Sequence, residues 1–203
     1  MRLEELTELQ LDALREVGSI GAGHAATALS QLVDRTVALE VPTLEVLDIS
    51  AVPNVFGGPE QLVFGAYARL LGDIAGSVLF MVPRDAGLAL TDLLHGRTPG
   101  TSTQMGTDQQ ALLHHVASIL IAAYLAAIAR MAGLDVLPST PAMAFDMAGA
   151  LLQAVLAEVG MYADAAVLVR TIFVAEGESA EAALFFVPDP DSLSTILSRI
   201  GMA

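Results

Sequence analysis

A six-residue apolar segment that occurs twice constrains this fold more than any other feature of the sequence. Residues 78–83 read VLFMVP and residues 183–188 read ALFFVP. Each copy has the composition of a strand, and each ends at a proline that opens a helix with an aspartate in its first turn. The repetition predicts one domain, residues 1–203, made of two related halves at residues 1–100 and 101–203.

Hydrophobic periodicity predicts the elements of each half. In the first half we expect a long helix at residues 8–33 and a strand at 37–49 that is interrupted at Pro42. Two strands at 62–70 and 74–82 would form a hairpin, and a short helix would follow at 83–94. In the second half we expect a long helix at residues 107–131, a β segment around 138–141 and an additional helix at 146–159. Two strands at 165–175 and 180–187 and a final helix at 192–200 would follow. Residues 53–59 are predicted to be turns, and residues 97–107 to link the halves.

The predicted fold class is α/β, of the α+β type. Two pseudo-two-fold related α-β-β-β-α units would form one mainly antiparallel sheet, with the long helices packed on it. Thr7 with Gln10, and Thr107 with Gln110, have the spacing of a capping box and mark the predicted starts of the long helices.

Composition excludes several functional classes. Hydrophobic residues make up 54% of the chain and charged residues 16%, which excludes intrinsic disorder. A net charge of −14, with no lysine, opposes binding to nucleic acid. The absence of cysteine excludes disulfides and thiolate metal sites. The longest uninterrupted apolar run, residues 119–129, is shorter than the ~20 residues that cross a bilayer, so we expect no membrane insertion and a cytoplasmic protein.

The first long helix carries a constellation of polar residues. Asp12, Glu16 and Ser19 are separated by four and three positions, which places them on one stripe of a helix, and Pro42 follows after 22 further residues. The same spacing recurs 99 residues later, where the corresponding positions hold Ala111, His115, Ser118 and Pro141.

This arrangement resembles the CheC, CheX and FliY phosphatase family. The family pattern is Asp or Ser, three residues, Glu, two residues, Asn, 22 residues and Pro. Residues 16–30, EVGSIGAGHAATALS, are very similar to the CheC form of that helix. Members usually have asparagine where this chain has Ser19 and His24. In the second half, His115 replaces the glutamate, Ser118 replaces the asparagine and Ala111 replaces the Asp or Ser.

The resemblance implies a function in chemotaxis and two-component signalling. A member hydrolyses the aspartyl phosphate of a CheY-like response regulator, which is its phosphorylated partner. Glu16 would dock on the lysine of the regulator, Ser19 would orient the attacking water in place of asparagine, and Asp12 would support the same face. The protein would carry no metal or cofactor of its own, and the Mg²⁺ would belong to the regulator. CheD is a further partner that the resemblance suggests, and we expect a monomer.

The missing asparagines leave two main hypotheses open, and a third, weaker one is a flagellar-switch component related to FliY or FliM. In the first, the chain is a phosphatase with reduced activity, because the serine side chain is shorter than that of asparagine. In the second, it is a catalytically inactive binding module that sequesters a response regulator or CheD. The site of the second half is expected to be inactive, since a neutral His115 cannot form a salt bridge with lysine.

Structural explanations also exist for the residues of the first helix. Glu16 could be an ordinary solvated residue, and Ser19 a small residue that allows close packing. Gly18, Gly21 and Gly23 each cost about 1 kcal/mol in a helix relative to alanine, which indicates a close approach either to a partner protein or to a neighbouring helix or sheet. His114 and His115 lack the further ligands that a metal site requires.

Overall fold

A capped 26-residue helix opens the fold, and its partner of equal length begins the second half. The computed structural model describes residues 5–40, 43–159, 165–175 and 177–202. Within them the α-helices are α1 Glu8–Val33, α2 Arg84–Leu94, α3 Thr107–Ala132, α4 Ala148–Val159 and α5 Pro190–Arg199, and a 3₁₀ helix spans Ile49–Phe56. The strands are β1 Ala38–Leu39, β2 Thr43–Asp48, β3 Leu62–Gly72, β4 Gly76–Pro83, β5 Val136–Pro138, β6 Ala142–Met147, β7 Ala165–Ala175 and β8 Glu178–Pro188.

The starts of the two long helices are fixed by different local interactions. At α1 the predicted capping box forms: the Thr7 N–H donates to Gln10 Oε1 at 2.9 Å, and the Gln10 N–H donates to Thr7 Oγ1 at 3.4 Å. At α3 the predicted box of Thr107 with Gln110 is wrong. Gly106 is the N-cap, and its N–H donates to the side chain of Gln109 at 3.1 Å.

Two predicted boundaries after the edge strands are also wrong. The expected helix at residues 146–159 begins at Ala148, because Asp146 and Met147 continue β6 and pair with β3. In the first half, part of the expected turn region is the 3₁₀ helix, whose start is capped by Asp48 accepting from the Ser50 N–H at 2.7 Å. The 3₁₀ helix follows β2 as α4 follows β6, so the two halves are more alike here than the sequence indicated.

The sheet is antiparallel throughout the described residues, and the two halves are interlocked within it. Its order is β1-β7-β8-β4-β3-β5, with β2 also on β7 and β6 also on β3. Each half therefore contributes its short edge strands to the long hairpin of the other half. At the centre, the two copies of the repeated segment pair directly, with Leu79 opposite Phe185 and Phe80 opposite Leu184. The division into halves at residues 100 and 101 stays a prediction, and this pairing joins residues of both halves in one sheet.

Helices cover both faces of the sheet. Phe80 belongs to the core beneath α1, α2, α3 and α5, whereas the next residue, Met81, belongs to a second core beneath the 3₁₀ helix and α4. Both side chains are fully buried. Because the central strands are buried on both faces, they read as continuous apolar runs rather than as alternating patterns.

The apolar character of α3 has a cause within this fold. By length and composition alone, α3 could cross a membrane: an 18-residue window of it has a mean hydropathy of 2.0. However, half of that window is buried inside the protein, with Leu113, Leu120 and Leu125 packed in the core against α1 and the sheet. A helix at the centre of a core needs the same composition as a membrane span.

The segment between the halves is held by a buried carboxylate. Asp92 is fully buried on α2 and accepts hydrogen bonds from the Ser102 N–H and hydroxyl at 2.8 and 2.6 Å, and Arg97 Nε lies 3.0 Å from its Oδ1. Burial alone would raise the pKa of Asp92, but the hydrogen bonds from Ser102 and the charge of Arg97 outweigh it and lower that pKa. The connection that leads into α3 is thereby fixed to α2.

Candidate functional site

The helix pair α1 and α3 forms the platform of the candidate site, and one glycine sets its spacing. A Cβ atom on Gly21 would lie 2.8 Å from Tyr124 Cδ1 and 3.0 Å from Tyr124 Cα. The Tyr124 hydroxyl is 3.4 Å from Thr171 Oγ1 on β7, which ties α3 to the sheet, and burial raises the pKa of Tyr124. Of the two explanations for the helix glycines, close helix packing therefore holds at Gly21.

The predicted site residues share the outward side of α1. We define the α1 stripe as five positions on this side, which are Asp12, Arg15, Glu16, Ser19 and Gly23. Asp12, Glu16 and Gly23 are exposed, and Arg15 and Ser19 are partly buried. The opposite side of the helix faces the core through buried residues such as Leu14, Val17 and Ala25. A Cβ atom on Gly23 would meet nothing within 4 Å, so packing does not explain that glycine.

The polar side chains of the α1 stripe differ in the partners that they already have. Arg15 forms an ion pair with Asp12, and its Nη1 also lies 4.0 Å from Glu8 Oε2. The Ser19 hydroxyl donates to the Arg15 carbonyl oxygen at 3.0 Å. Glu16 makes no hydrogen bond or ion pair with the described part of the chain. Its carboxylate is therefore the charge on this stripe that is available to a partner.

The corresponding side of α3 carries different chemical groups. We define the α3 stripe as the positions 99 residues after those of the α1 stripe, which are Ala111, His114, His115, Ser118 and Ala122. Ala111, both histidines and Ala122 are exposed, and Ser118 is partly buried. The two imidazole rings stack in nearly parallel planes, with centroids 5.6 Å apart and an interplanar angle of 9°. The α3 stripe holds no carboxylate, so it cannot present the charge that Glu16 presents.

The prolines of the motif differ in what the structure describes. Pro42 lies outside the described residues. Pro141 directly precedes β6, and the nearby Ser139 exchanges hydrogen bonds with the backbone of Arg69 on β3 at 2.9 and 3.0 Å. In the second half, the proline thus lies where the chain crosses from one edge strand to the next.

No group of three or more His, Asp or Glu side chains capable of holding a metal occurs among residues 5–40, 43–159, 165–175 and 177–202. The described part of the site offers carboxylate, guanidinium and hydroxyl groups. These groups can bind and orient a charged partner, and the chain has no cysteine to supply a thiol.

Comparison with known proteins identifies the family. A CheC-like family model matches residues 9–46, which include the whole α1 stripe. The chain is also similar to the CheY-P phosphatase CheC of Bacillus subtilis (strain 168), with 33% identity over 200 residues that cover 97% of this chain and 96% of that protein. The chain belongs to the CheC-like family.

Two further comparisons concern the CheC-like fold. The flagellar motor switch phosphatase FliY of Bacillus subtilis (strain 168) is 30% identical over 94 residues, which are 46% of this chain and 24% of FliY. The X-ray structure of Thermotoga maritima FliY matches with a TM-score of 0.76 at 16% identity, over 97% of this chain and 98% of that chain. The predicted family and fold class are confirmed.

The sequence identified most of the α1 stripe but missed Arg15. Spacings of three and four residues brought Asp12, Glu16 and Ser19 together, and the structure places them on one exposed side. The same rule, applied to every charged residue, would have found Arg15, which is three residues after Asp12 and four before Ser19. In this CheC-like chain, the Arg15 side chain is ion-paired with Asp12, and its backbone carbonyl oxygen accepts a hydrogen bond from Ser19.

Proposed function

We propose that this chain is a phosphatase of reduced activity that hydrolyses the aspartyl phosphate of a CheY-like response regulator, and that the α1 stripe is its site. The observation that carries the proposal is the exposed carboxylate of Glu16, which has no partner among the described residues, with the Ser19 hydroxyl one helical turn further on. The similarity to the CheY-P phosphatase CheC over nearly the whole chain supports the same substrate class. The partner regulator implies a cytoplasmic location.

Glu16 supplies recognition in this mechanism. A response regulator carries a lysine beside its phosphorylated aspartate, and an unpaired carboxylate on a rigid helix forms a charge-assisted contact with that ammonium group. Because Glu16 has no partner among the described residues, docking breaks no existing ion pair of its own. The Mg²⁺ that neutralises the phosphoryl oxygens belongs to the regulator.

Ser19 supplies the orientation of water. Its hydroxyl proton is directed to the Arg15 carbonyl oxygen, which leaves the lone pairs of Oγ to accept a hydrogen bond from a water molecule. The oxygen of that water attacks phosphorus while the bond from phosphorus to the aspartyl oxygen breaks. The regulator recovers its carboxylate, and the water becomes part of the released inorganic phosphate.

The reduced rate follows from the reach of the side chain. A serine hydroxyl is shorter than an asparagine amide by roughly one bond, and a misplacement of about 1 Å can cost on the order of 10²-fold in rate. The α3 stripe lacks both the carboxylate and the amide, so we assign catalysis to α1 alone.

One observation favours a second function, a binding module without turnover. Neither stripe has an amide, and the Ser19 hydroxyl is already bonded within its own helix. In that case Glu16 would still dock a response regulator and sequester it. CheD as a partner and the monomeric state stay predictions.

The test is phosphate release from a purified CheY-like regulator, phosphorylated with a small phosphodonor and Mg²⁺. We expect Glu16→Ala to abolish the acceleration and Ser19→Asn to raise it by about tenfold or more, because the amide restores the reach. Ser118→Asn on α3 is the matched control and should leave the rate unchanged. A wild-type serine that outperforms asparagine would refute the assigned role of Ser19.

A further inference from the structure

We propose that Arg15 recognises the phosphoryl group of the regulator, by leaving Asp12 on docking and bonding to a phosphoryl oxygen. This inference rests on the proposed function and adds a residue that makes binding depend on phosphorylation. Arg15 would thus distinguish the phosphorylated regulator from its product.

The position of Arg15 suits this contact. Ser19 lies four residues after Arg15 and three after Glu16, so both charged side chains lie one turn from Ser19 on the same side of α1. In the proposed complex the lysine of the regulator contacts Glu16 and its phosphorus lies near Ser19. This docking geometry therefore brings the phosphoryl oxygens within reach of the long Arg15 side chain. The planar guanidinium group can donate two parallel hydrogen bonds to phosphate oxygens.

The present partner of Arg15 is easily exchanged. The Arg15 and Asp12 side chains are 41% and 65% exposed, and Glu8, at 4.0 Å from the guanidinium, is 87% exposed. Ion pairs this open to solvent contribute little to stability, since water and salt screen them. A dianionic phosphoryl group in a site closed to water is a stronger acceptor than an exposed carboxylate.

The negative charge around Arg15 also favours a role for this cation in binding an anionic group. The chain has a net charge of −14, and Glu8, Asp12 and Glu16 all lie on the outward side of the first three turns of α1. Such a surface repels an aspartyl phosphate and the acidic residues around it. Arg15 is the one arginine of α1, which has no lysine.

The α3 stripe provides an internal comparison. The position that corresponds to Arg15 is His114, whose ring stacks on His115 instead of pairing with an acid. The residue that corresponds to Asp12 is Ala111. The α3 stripe therefore lacks the exchangeable pair together with the docking carboxylate.

The experiment measures the affinity of the full chain for the Mg²⁺-bound regulator with and without beryllofluoride, which mimics the phosphoryl group. For Arg15→Gln we expect about tenfold weaker binding of the loaded regulator, the loss of one charge-assisted contact, with little change for the unloaded form. Arg15→Lys should retain part of the preference. Arg84→Gln is the control, because Arg84 is 36% exposed and ion-paired with Asp85 on another helix; it should match the wild type.

Asp12→Asn separates recognition from a merely structural role of the ion pair. If Asp12 competes for Arg15, this variant should bind the loaded regulator about twofold to fivefold more tightly, and the gain should vanish in the Arg15→Gln background. Weakening of both regulator forms to the same extent by Arg15→Gln, or no weakening at all, would overturn the inference alone. A wild-type chain that binds neither form would overturn the proposed function as well.

Discussion

Gly21 and Gly23 lie two positions apart on α1, and the structure predicts different effects on stability when each is replaced by alanine. Both changes remove the same helix-propensity cost, about 1 kcal/mol. At Gly23 the new methyl group meets nothing within 4 Å, so Gly23→Ala should stabilise the fold by about that amount. At Gly21 the methyl group would lie 2.8 Å from Tyr124 Cδ1 and 3.0 Å from the Tyr124 backbone.

The overlap at Gly21 cannot be relieved by a small rotation of one side chain, because the Cα atom of Tyr124 is part of the contact. Overpacking of this kind costs roughly 1–3 kcal/mol. After the propensity gain is subtracted, Gly21→Ala should be destabilising by about 0–2 kcal/mol. The difference between the two variants isolates the steric cost, since the propensity gain is common to both.

Urea unfolding followed by circular dichroism measures this difference directly. The two variants should have similar dependence on urea concentration, with the midpoint of Gly23→Ala above that of the wild type and the midpoint of Gly21→Ala below that of Gly23→Ala. Equal midpoints for the two variants would show that α1 and α3 do not pack as closely as described. The platform of the candidate site would then be wrong.

Two further predictions concern the frame that holds the helix pair. Asp92→Asn should destabilise the fold at neutral pH by on the order of 1 kcal/mol, because it weakens the bonds to Ser102 and Arg97. The pKa of Asp92 is lowered in the folded state, so its bonds stabilise the fold above the unfolded pKa, and this contribution is lost as the pH falls through the folded pKa. The difference in stability between the wild type and Asp92→Asn should therefore narrow in acid unfolding, and a difference that stayed constant would contradict this. Gly72→Ala should lower the free energy of unfolding by about 2 kcal/mol or more, because φ is +111° and the new Cβ would collide with the Asp135 carbonyl. An unchanged midpoint in thermal or urea unfolding would contradict the close contact between β3 and the segment before β5.

The elements of this fold were predictable where the signal is local. The bounds of α1 follow from the Thr7–Gln10 capping box and the helical spacing of apolar residues, and the structure has α1 over the predicted residues. The start of α4 could not be predicted in this way. Asp146 and Met147 fit a helical pattern, but their pairing with β3 keeps them in the sheet, and that pairing depends on residues far away in the chain.

Interlocking of the halves was also beyond the sequence. Alternation and turn residues show which segments are strands, but they do not show that β2 leaves its own half to pair with β7. In the candidate site, too, some features were predictable from the sequence and others were not. Helical spacing predicts that Glu16 and Ser19 share a side of α1, whereas the direction of the Ser19 hydroxyl towards the Arg15 carbonyl depends on a rotamer that spacing cannot give.

The central claim is that the α1 stripe still hydrolyses an aspartyl phosphate without the asparagine of its family. The most direct test is multiple-turnover phosphate release from a Mg²⁺-bound, phosphorylated CheY-like regulator, with this protein at about one hundredth of the regulator concentration. We predict a rate above spontaneous loss that scales with the protein concentration and disappears in Glu16→Ala. Release no faster than the spontaneous rate, with binding of the regulator confirmed separately, would contradict the claim and leave a binding protein on a phosphatase fold.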